Sequence, residues 1–310
     1  MQALFIGQTY IDVTFLADRF PTGDEKTVAD HYSVSFGGNA VTAAFCCAKL
    51  GIKPELLTTL ADDWLGRMFQ NMAARYGVMI HAREVKESSL SFVMPKDGKR
   101  AIIRCRDDNY LNPFPVLDLS GCRAIHVDGH QSEAAIDHAR RARESGALTS
   151  LDGGTVRSNT LELLNFIDVA VVSELFCEKV GLSPSDTLGF LHGKGCTVAA
   201  VTLGSHGAIW SQTGGPEHVQ HSNPVPLSRV VDTNGAGDVY HGAYMYSYLD
   251  NPHAGWDAHF DFARAASTHA IQHLGNEASL PTLSDIAAVR AEFTEVGPDA
   301  PAADAAEARA

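Results

Sequence analysis

The sequence predicts an α/β protein with a doubly wound, mainly parallel sheet, helices on both of its faces, and a small second sheet that acts as a lid. Short apolar runs alternate with amphipathic stretches along most of the 310 residues, a pattern typical of repeated β-α units. Two extended, more polar segments, about 12–35 and 86–107, interrupt this alternation and fit no helical layer. We therefore predict one α/β domain, 1–296, that carries these two segments as the lid.

The strands and helices of the main body follow from the alternation. The predicted strands are Ala3–Ile6, Glu55–Thr59, Ala124–Val127, Leu148–Leu151, Val169–Val172 and Thr197–Thr202. The predicted helices are Asn39–Leu50, Trp64–Tyr76, Glu133–Ser145, Asp186–His192, Ala236–Leu249, Ala258–His273 and Leu283–Phe293. A tight turn is predicted at Asp97-Gly98. The residues 297–310, rich in Ala, Pro, Asp and Glu, predict a disordered tail.

Composition limits the class of function. With 24 basic and 37 acidic side chains the formal charge is −13, so we expect no nucleic-acid partner. No stretch approaches the length of a membrane span and the first residues lack a basic region, so we expect neither membrane insertion nor a signal peptide. The six cysteines show no C-x-x-C spacing, which is typical of free thiols in the cytoplasm.

A small-residue turn between two carboxylates is the most informative motif. It is the run Val231-Asp232-Thr233-Asn234-Gly235-Ala236-Gly237-Asp238, placed at the start of a predicted helix. Gly235 and Gly237 allow a ligand to approach the backbone closely, and the first amides of a helix form an anion site. Asp238 would repel a bound phosphate unless it accepts a hydroxyl proton. The motif therefore indicates phosphoryl transfer to an alcohol, although a capped helix start with a glycine turn has the same spacing.

This run closely resembles Asp-Thr-x-Gly-Ala-Gly-Asp, the signature of the ribokinase-like (PfkB-type) carbohydrate kinases. The resemblance extends from Gly7 to about Pro281 and implies a ribokinase-like fold. It also implies that Asp238 is the catalytic base and that the amides of Gly235, Ala236 and Gly237 stabilise the transferred phosphate.

The acceptor site is implied by two further matches. Gly37, Gly38 and Asn39 open a Gly-rich turn that resembles the family signature Gly-Gly-x-x-x-Asn-x-Ala, in which Thr42 replaces the usual Asn. The acceptor is therefore expected to differ from that of a typical ribokinase. Asp12 matches an early Asp that binds sugar hydroxyls. The alternatives are a tight turn with Asn39 as N-cap and a solvated loop aspartate.

The nucleotide site is implied by the run Val201 to Ala208, which resembles the family's Thr-x-Gly-x-x-Gly loop. Thr202, Gly204 and Gly207 occupy its matching positions. The glycines would let the backbone lie against the ribose and phosphates of ATP. A simple turn after a strand is the alternative.

The metal site departs from the family pattern. Where the family has Asn-x-x-Glu, this chain has Ser173, Glu174 and, in place of the final Glu, Phe176. The resemblance implies a Ser173 contact to the nucleotide and leaves Glu174 to help hold Mg²⁺. Asp232 and Thr233 match a region where many members bind a monovalent cation, K⁺.

A basic strand face predicts an acidic acceptor. Arg100, Arg104 and Arg106 have the even spacing that places side chains on one face of a strand, and Lys26 in the first lid segment could join them. Guanidinium groups bind carboxylate, sulfonate or phosphate with two hydrogen bonds, whereas a solvated strand face is the alternative. His130, at the end of a predicted strand, is a further substrate contact. Lys26 and the Ser-Glu pair give some likeness to the sulfofructose kinase branch.

These observations together predict an ATP-dependent kinase that phosphorylates a hydroxyl of a small carbohydrate, and a homodimer formed through the lid edges. A nucleoside kinase of the same fold and a catalytically weak sugar or nucleotide sensor are the alternatives. A dinucleotide-dependent dehydrogenase is disfavoured, because Tyr240 stands where the third glycine of that fingerprint would be.

Overall fold

The computed structural model describes residues 1–19, 21–96 and 99–294. The predicted turn at Asp97-Gly98 and the predicted tail, 297–310, lie outside the described residues. The strands in chain order are β1 Ala3–Gly7, β2 Tyr10–Leu16, β3 His31–Gly37, β4 Pro54–Leu60, β5 Met79–Glu84, β6 Leu90–Lys96, β7 Lys99–Cys105, β8 Ala124–Val127, β9 Leu148–Gly153, β10 Val169–Ser173, β11 Val198–Thr202, β12 Ala208–Gln212 and β13 His218–Gln220. The helices are α1 Asn39–Leu50, α2 Trp64–Tyr76, α3 Ser132–Glu144, α4 Thr160–Leu163, α5 Glu174–Val180, α6 Pro184–Gly193, α7 Ala236–Asp250, α8 Trp256–Ala270, α9 Asn276–Ser279 and α10 Leu283–Thr294.

The main sheet has nine strands in the order β13-β12-β11-β10-β9-β8-β1-β4-β5. The strands from β11 to β5 run parallel to one another, and β12 and β13 continue the sheet antiparallel. Phe5 on β1 lies opposite Leu56 on one neighbour and His126 on the other. Because the carboxyl ends of parallel strands meet at one edge, side chains from distant parts of the chain converge there.

Two apolar cores cover the two faces of this sheet. Along β1, Ala3 and Phe5 pack into the core formed with α1, α7 and α8. Leu4 and Ile6 pack into the other core, beneath α3, α5 and α6. Strands buried on both faces are apolar at successive positions, which explains the continuous apolar runs in the sequence.

The lid is a separate four-stranded sheet with the order β3-β2-β6-β7. Asp12 lies opposite Ser35 and Ser91, and Ser91 lies opposite Arg104. Since cross-strand partners project from the same face of a sheet, these polar side chains share one face of the lid. Tyr32 on β3 and Ile103 on β7 lie an odd number of residues from Ser35 and Arg104, respectively. Their side chains therefore project from the other face of the lid.

The observed architecture confirms the predicted fold class, with shifts of a few residues at the element ends. The first lid segment contains two strands, β2 and β3, and the strands β5, β12 and β13 at the two ends of the main sheet had not been predicted. The placement of Arg106 on the basic strand was wrong, because β7 ends at Cys105. Within the described part of the chain, every helix is too short or too polar to cross a bilayer.

Candidate active site

The glycine turn that the sequence predicts to bind an anion, called the anion-binding turn below, lies at the start of α7. Gly235 has the left-handed φ of 74°, and a Cβ there would fall 2.4 Å from Oδ1 of Asn276. The first helical bond runs from Val239 N–H to Gly235 O, 2.8 Å, so the amides of Gly237 and Asp238 precede it. A Cβ on Gly237 would meet nothing within 4 Å. The turn is therefore rigid on its inner side and open on the side of the helix dipole's positive end.

Asp238 has a strongly perturbed carboxyl group. Burial raises its pKa to about 8, and repulsion from the carboxylates of Asp152 and Asp12 acts in the same direction. The guanidinium groups of Arg100 and Arg104 oppose this change. A carboxylate with a raised pKa is a better acceptor for a hydroxyl proton, provided that it is ionised when the acceptor binds.

Asp12 lies on β2, in the lid sheet, and is almost completely buried. Its Oδ2 accepts hydrogen bonds from the side-chain amides of Asn234, 3.2 Å, and Asn276, 3.0 Å. No hydrogen bond of regular geometry reaches its Oδ1 from the described residues, and the Ser91 hydroxyl, opposite Asp12 on β6, lies close enough to act against the rise in the pKa of this carboxyl. A Cβ on Gly37 would fall 2.3 Å from this carboxylate, so glycine is required at that position. Burial raises the pKa of Asp12 as well.

The second glycine turn leads into α1. Gly38 has φ 105°, and a Cβ there would fall 2.0 Å from Gln8 O. The helix has no side-chain cap. Asn39 instead donates from Nδ2 to Oδ2 of Asp152, 2.8 Å, which contradicts the N-cap alternative. Thr42 is fully buried, and its Oγ1 has no hydrogen-bond partner in the described ranges.

Basic side chains from the lid and from the loop after β9 act on Tyr10 and His130. The Arg104 guanidinium lies over the Tyr10 ring, 5.1 Å from its centroid. Burial lowers the pKa of His130, the carboxylate of Asp128 opposes this change, and the positive charges of Arg157, Arg106 and Arg104 add to it. The predicted residues Arg104, Arg106 and His130 are thus brought together, joined by Arg157 from the loop after β9.

The predicted cations differ in their contacts. Arg100 is exposed on β7 and donates to Thr233 O, 3.4 Å, so the lid contacts the anion-binding turn. Arg106 follows the end of its strand and forms an ion pair with Asp108, 2.7 Å. Lys26 is exposed on the connection between β2 and β3.

The predicted nucleotide loop follows β11. Thr202 ends the strand and donates to Val172 O, 3.3 Å. Gly204 begins a short turn of 3-10 helix. Gly207 has φ 93°, and a Cβ there would fall 1.9 Å from Gln220 O, so this glycine is required by the hairpin to β12. Ser173, at the carboxyl end of β10, donates to Gly154 O, 2.9 Å.

A sequence profile of the pfkB family of carbohydrate kinases matches residues 2–283. The chain belongs to this family. It is 22% identical over 295 residues to the ribokinase of Haemophilus influenzae, an alignment that covers 89% of this chain and 94% of that protein. It is 26% identical over 239 residues to the aminoimidazole riboside kinase of Salmonella typhimurium, covering 68% of this chain and 73% of the relative. The pfkB-family kinases act with ATP on sugars or nucleosides, and this chain is an ATP-dependent kinase of that kind.

Solved structures show the same fold. The ribokinase of Thermotoga maritima superposes with a TM-score of 0.78 at 20% identity, over 93% of this chain and 98% of that one. The ribokinase of Arabidopsis thaliana, solved with ribose and ATP, also gives a TM-score of 0.78, at 22% identity and with the same coverage. The large, mostly parallel sheet and the separate lid are therefore the architecture of the pfkB-family kinases.

The metal-binding region differs from the pfkB-family pattern in a way that the fold explains. Phe176 is fully buried in the core beneath α5, so it cannot face a metal. Glu174 is the first residue of that helix and is exposed. Both oxygens of Asp232 accept backbone amides, Asn234 N–H at 2.8 Å and Gly275 N–H at 3.1 Å. Across the ranges that the structure describes, no three His, Cys, Asp or Glu side chains group as metal ligands.

Sequence reasoning missed several side chains that contact or act on the predicted site residues. Asp152 and Arg157 come at and just after the carboxyl end of β9, and that position alone could have indicated them. Asn234 stands within the quoted signature at the variable position. Asn276 carried no signal, because its contact with Asp12 depends on tertiary structure.

Proposed function

We propose that this kinase phosphorylates a hydroxyl group of a small sugar that carries an acidic group, a carboxylate, sulfonate or phosphate. The observations that support this proposal are the position of Arg104 over the Tyr10 ring, on the lid face that carries Asp12, and the positive charges of Arg157 and Arg106, which act on His130 together with that of Arg104. Arg106 is already paired with Asp108, 2.7 Å, so an anionic group on the acceptor would be the counter-charge for Arg104 and Arg157, and it could accept two hydrogen bonds from each. In a protein with a formal charge of −13, such a local positive site has a specific purpose.

The chain's own residues suffice for the acceptor side of the reaction. The Oδ1 of Asp12 would accept a hydrogen bond from one sugar hydroxyl, while Gly37, Gly38 and Asn39 line the same pocket. Thr42 is fully buried, so it would support the acceptor site from below its surface. Asp238 would hold the reacting hydroxyl in line with the γ-phosphorus of ATP. A bond forms between the hydroxyl oxygen and that phosphorus, the bond to the bridging oxygen of ADP breaks, and the proton passes to Asp238.

The amides at the start of α7 would stabilise the charge on the transferred group. Gly235, Ala236 and Gly237 supply the turn, and the open space beside Gly237 has room for phosphate oxygens. Preorganised amides of this kind account for a large share of the rate in acyl and phosphoryl transfer. The lid would exclude water that could otherwise attack ATP.

The nucleotide and its metal would lie at the carboxyl ends of β10 and β11. Thr202, Gly204, Gly207 and Ser173 would contact ATP. The exposed carboxylate of Glu174 fits Mg²⁺, which keeps several waters and binds chiefly through phosphates; when bound, the ion neutralises phosphate charge.

A monovalent cation would lie at the start of the anion-binding turn, before its glycines. Asp232 and Thr233 are the residues proposed to hold K⁺ there. Each Asp232 oxygen already accepts one amide, and a carboxylate oxygen has a second lone pair that could contact a cation. Measuring turnover in sodium-free buffer with and without K⁺ tests this assignment.

We also propose that the chain forms a homodimer through the outer face of the lid. Tyr32 and Ile103 on that face are 70% and 64% exposed, and Val34 is partly exposed beside them. Apolar side chains clustered on an exposed sheet are typical of a contact surface. Sedimentation velocity of the wild type and of an Ile103→Glu variant tests the proposal, since the variant should sediment as a monomer.

Cytoplasmic location is the remaining inference. All six cysteines are free, four of them buried, and Cys105 is exposed. An exposed free thiol is typical of a reducing compartment. Fractionation of cells that express the chain would test this inference.

The experiment that tests the function is ADP release from Mg·ATP with ribose, fructose, gluconate, sulfofructose and adenosine as acceptors. We expect turnover with an acidic sugar, and a loss of about 100-fold or more in Asp238→Asn. Replacing Arg104 and Arg157 by Ala should raise KM for the acidic acceptor about 10- to 100-fold, whereas Arg140→Ala, an exposed arginine on α3, should leave it unchanged. Turnover of adenosine alone would indicate a nucleoside kinase, and ATP binding without turnover would indicate a sensor.

A further inference from the structure

A pair of buried asparagines joins the lid to the anion-binding turn. Asn276 donates from one amide nitrogen to Asp12 Oδ2, 3.0 Å, and to Phe36 O, 2.8 Å. Asn234 donates to the same carboxylate oxygen at 3.2 Å and approaches Asn276 Oδ1 at 3.4 Å. Both asparagines are buried, Asn276 to 99%. Three segments far apart in sequence thus meet at one carboxylate oxygen.

The backbones of the two asparagines are held by a single second carboxylate. Asp232 accepts the N–H of Asn234 at 2.8 Å and the N–H of Gly275 at 3.1 Å. Gly275 directly precedes Asn276, so the two side-chain amides are fixed relative to each other. Buried polar groups that are mutually satisfied in this way rigidify a structure.

The same amide group also touches the anion-binding turn. The position of a Cβ on Gly235 lies 2.4 Å from Asn276 Oδ1, so the amide packs directly against this glycine. Asn276 therefore contacts the proposed acceptor-binding carboxylate with its nitrogen and the phosphate-binding turn with its oxygen.

We propose that Asn276 and Asn234 are positioning residues that lock the carboxylate of Asp12 to the anion-binding turn. This inference rests on the proposed roles of Asp12 and of the turn. Two donors on Oδ2 fix the rotation of the carboxylate and leave Oδ1 for an acceptor hydroxyl. The acceptor and the transferred phosphate are thereby held in one frame, and small errors of alignment between reacting atoms are costly.

The position of Asp12 in the lid explains why its carboxylate needs the two asparagine hydrogen bonds. Asp12 belongs to the lid sheet, whereas Asn234 and Asn276 belong to the main body. An acceptor held only by the lid would move with it. The two amides make Asp12 part of the main body's frame, so lid closure would change access to the site without changing the alignment of the acceptor.

The experiment is a double-mutant cycle between Asn276→Ala and Asp12→Ala, with sulfofructose, ribose and fructose each tested as acceptor. In Asn276→Ala we expect kcat/KM for the accepted sugar to fall about 10- to 100-fold, because a hydrogen bond to a charged group is lost, while KM for ATP stays within about twofold. In the Asp12→Ala background the same change should cost less than about threefold, because the amide acts through that carboxylate.

Two further readouts separate positioning from general destabilisation. Loosening the acceptor should let water compete, so ADP release per sugar phosphate formed should rise above one in Asn276→Ala. Asn234→Ala, at a less buried position, should show the same pattern with a smaller effect and serves if Asn276→Ala does not fold. Ser211→Ala is the control: it removes a partly buried hydrogen bond to His192, 2.8 Å, on strand β12. It should leave kcat/KM for the sugar and the ADP released per sugar phosphate unchanged.

The outcomes distinguish this inference from the proposed function. A full-size effect of Asn276→Ala in the Asp12→Ala background, or an equal rise in KM for ATP, would overturn the positioning role. Wild-type kinetics in both asparagine variants would overturn it as well, and would leave the kinase assignment intact. A wild-type protein that releases no ADP with any sugar would instead overturn the proposed function, and the inference with it.

Discussion

Replacing Asp152 by Asn should move the pH dependence of phosphorylation to lower pH. Burial raises the pKa of Asp238 to about 8, and the Asp152 carboxylate is the next largest cause. The other charged groups that act on Asp238 are Asp12, which also raises its pKa, and Arg100 and Arg104, which lower it. Asn in place of Asp152 removes one negative charge and keeps an oxygen that can accept the Asn39 hydrogen bond.

The size of the effect follows from the fraction of ionised base. With a pKa of about 8, only about one tenth of Asp238 is ionised at pH 7. Because the ionised carboxylate is the form that accepts a proton, wild-type kcat/KM should rise about tenfold between pH 7 and the alkaline plateau. The Asp152→Asn profile should reach its plateau at lower pH, and at pH 7 the variant should lose less activity relative to its own plateau than the wild type does.

The assay is initial-rate kinetics at low concentrations of both substrates from about pH 6 to about pH 10, which reports on the free enzyme. Asp168→Asn is the control, since Asp168 lies at the opposite ends of the strands and binds Thr149; its profile should match the wild type. Superimposable profiles for Asp152→Asn and wild type, or wild-type activity that falls as the pH rises, would refute the reasoning.

Stability gives an independent check on the same carboxyl group. The folded-state pKa of Asp238 lies above its ordinary value, so folding takes up a proton, and stability falls as the pH rises from about 4 towards about 8. Asp238→Asn removes this penalty. Its melting temperature should therefore exceed that of the wild type by a margin that grows over this pH range, although the variant is inactive; a constant margin would contradict the assignment.

Four other substitutions, at three positions, test the turn and the core. Gly237→Val points into open space, so it should lower kcat at least tenfold by excluding phosphate oxygens while leaving the melting temperature within a few degrees; normal kinetics would remove the anion-site role. Gly235→Ala should instead destabilise the fold, because of the positive φ and the Asn276 contact, and thermal unfolding at wild-type temperature would contradict this. Phe176→Ala should cost about 3 to 5 kcal/mol in urea unfolding, and Phe176→Glu should be no more stable and should not strengthen Mg²⁺ dependence; a folded Glu variant with tighter Mg²⁺ use would show that the position can face the site.

The sheet and the glycine turn before α7 could be predicted from sequence because each has a local cause. Strands such as Val169–Ser173 are apolar throughout because both sheet faces are covered. The turn before α7 carries glycines where φ and close approach demand them. The edge strand Met79–Glu84 was missed because an edge has one partner and a mixed composition, which weakens the apolar signal.

The contacts between the side chains of the site could not be predicted from local sequence patterns. Asp152 and Arg157 reach the site because of the order of the strands in the sheet, which determines which loops lie next to one another. Asn276 enters through a single long-range contact, and an isolated asparagine after Gly275 has the composition of an ordinary loop. The predicted basic strand face was correct for Arg100 and Arg104, which lie on β7. It was wrong for Arg106, which follows the last residue of that strand.

The bond between Asp12 and Asn276 spans 264 residues, nearly the whole chain, and this has a consequence for biosynthesis. At about 5 to 20 residues per second, the ribosome adds Asn276 roughly 13 to 50 s after Asp12. During that interval the lid strand can pair with its sheet neighbours, but the acceptor carboxylate lacks its anchor. A nascent chain can therefore build most of the sheet without acquiring a working site, and an unfinished copy released early would leave cellular ATP untouched.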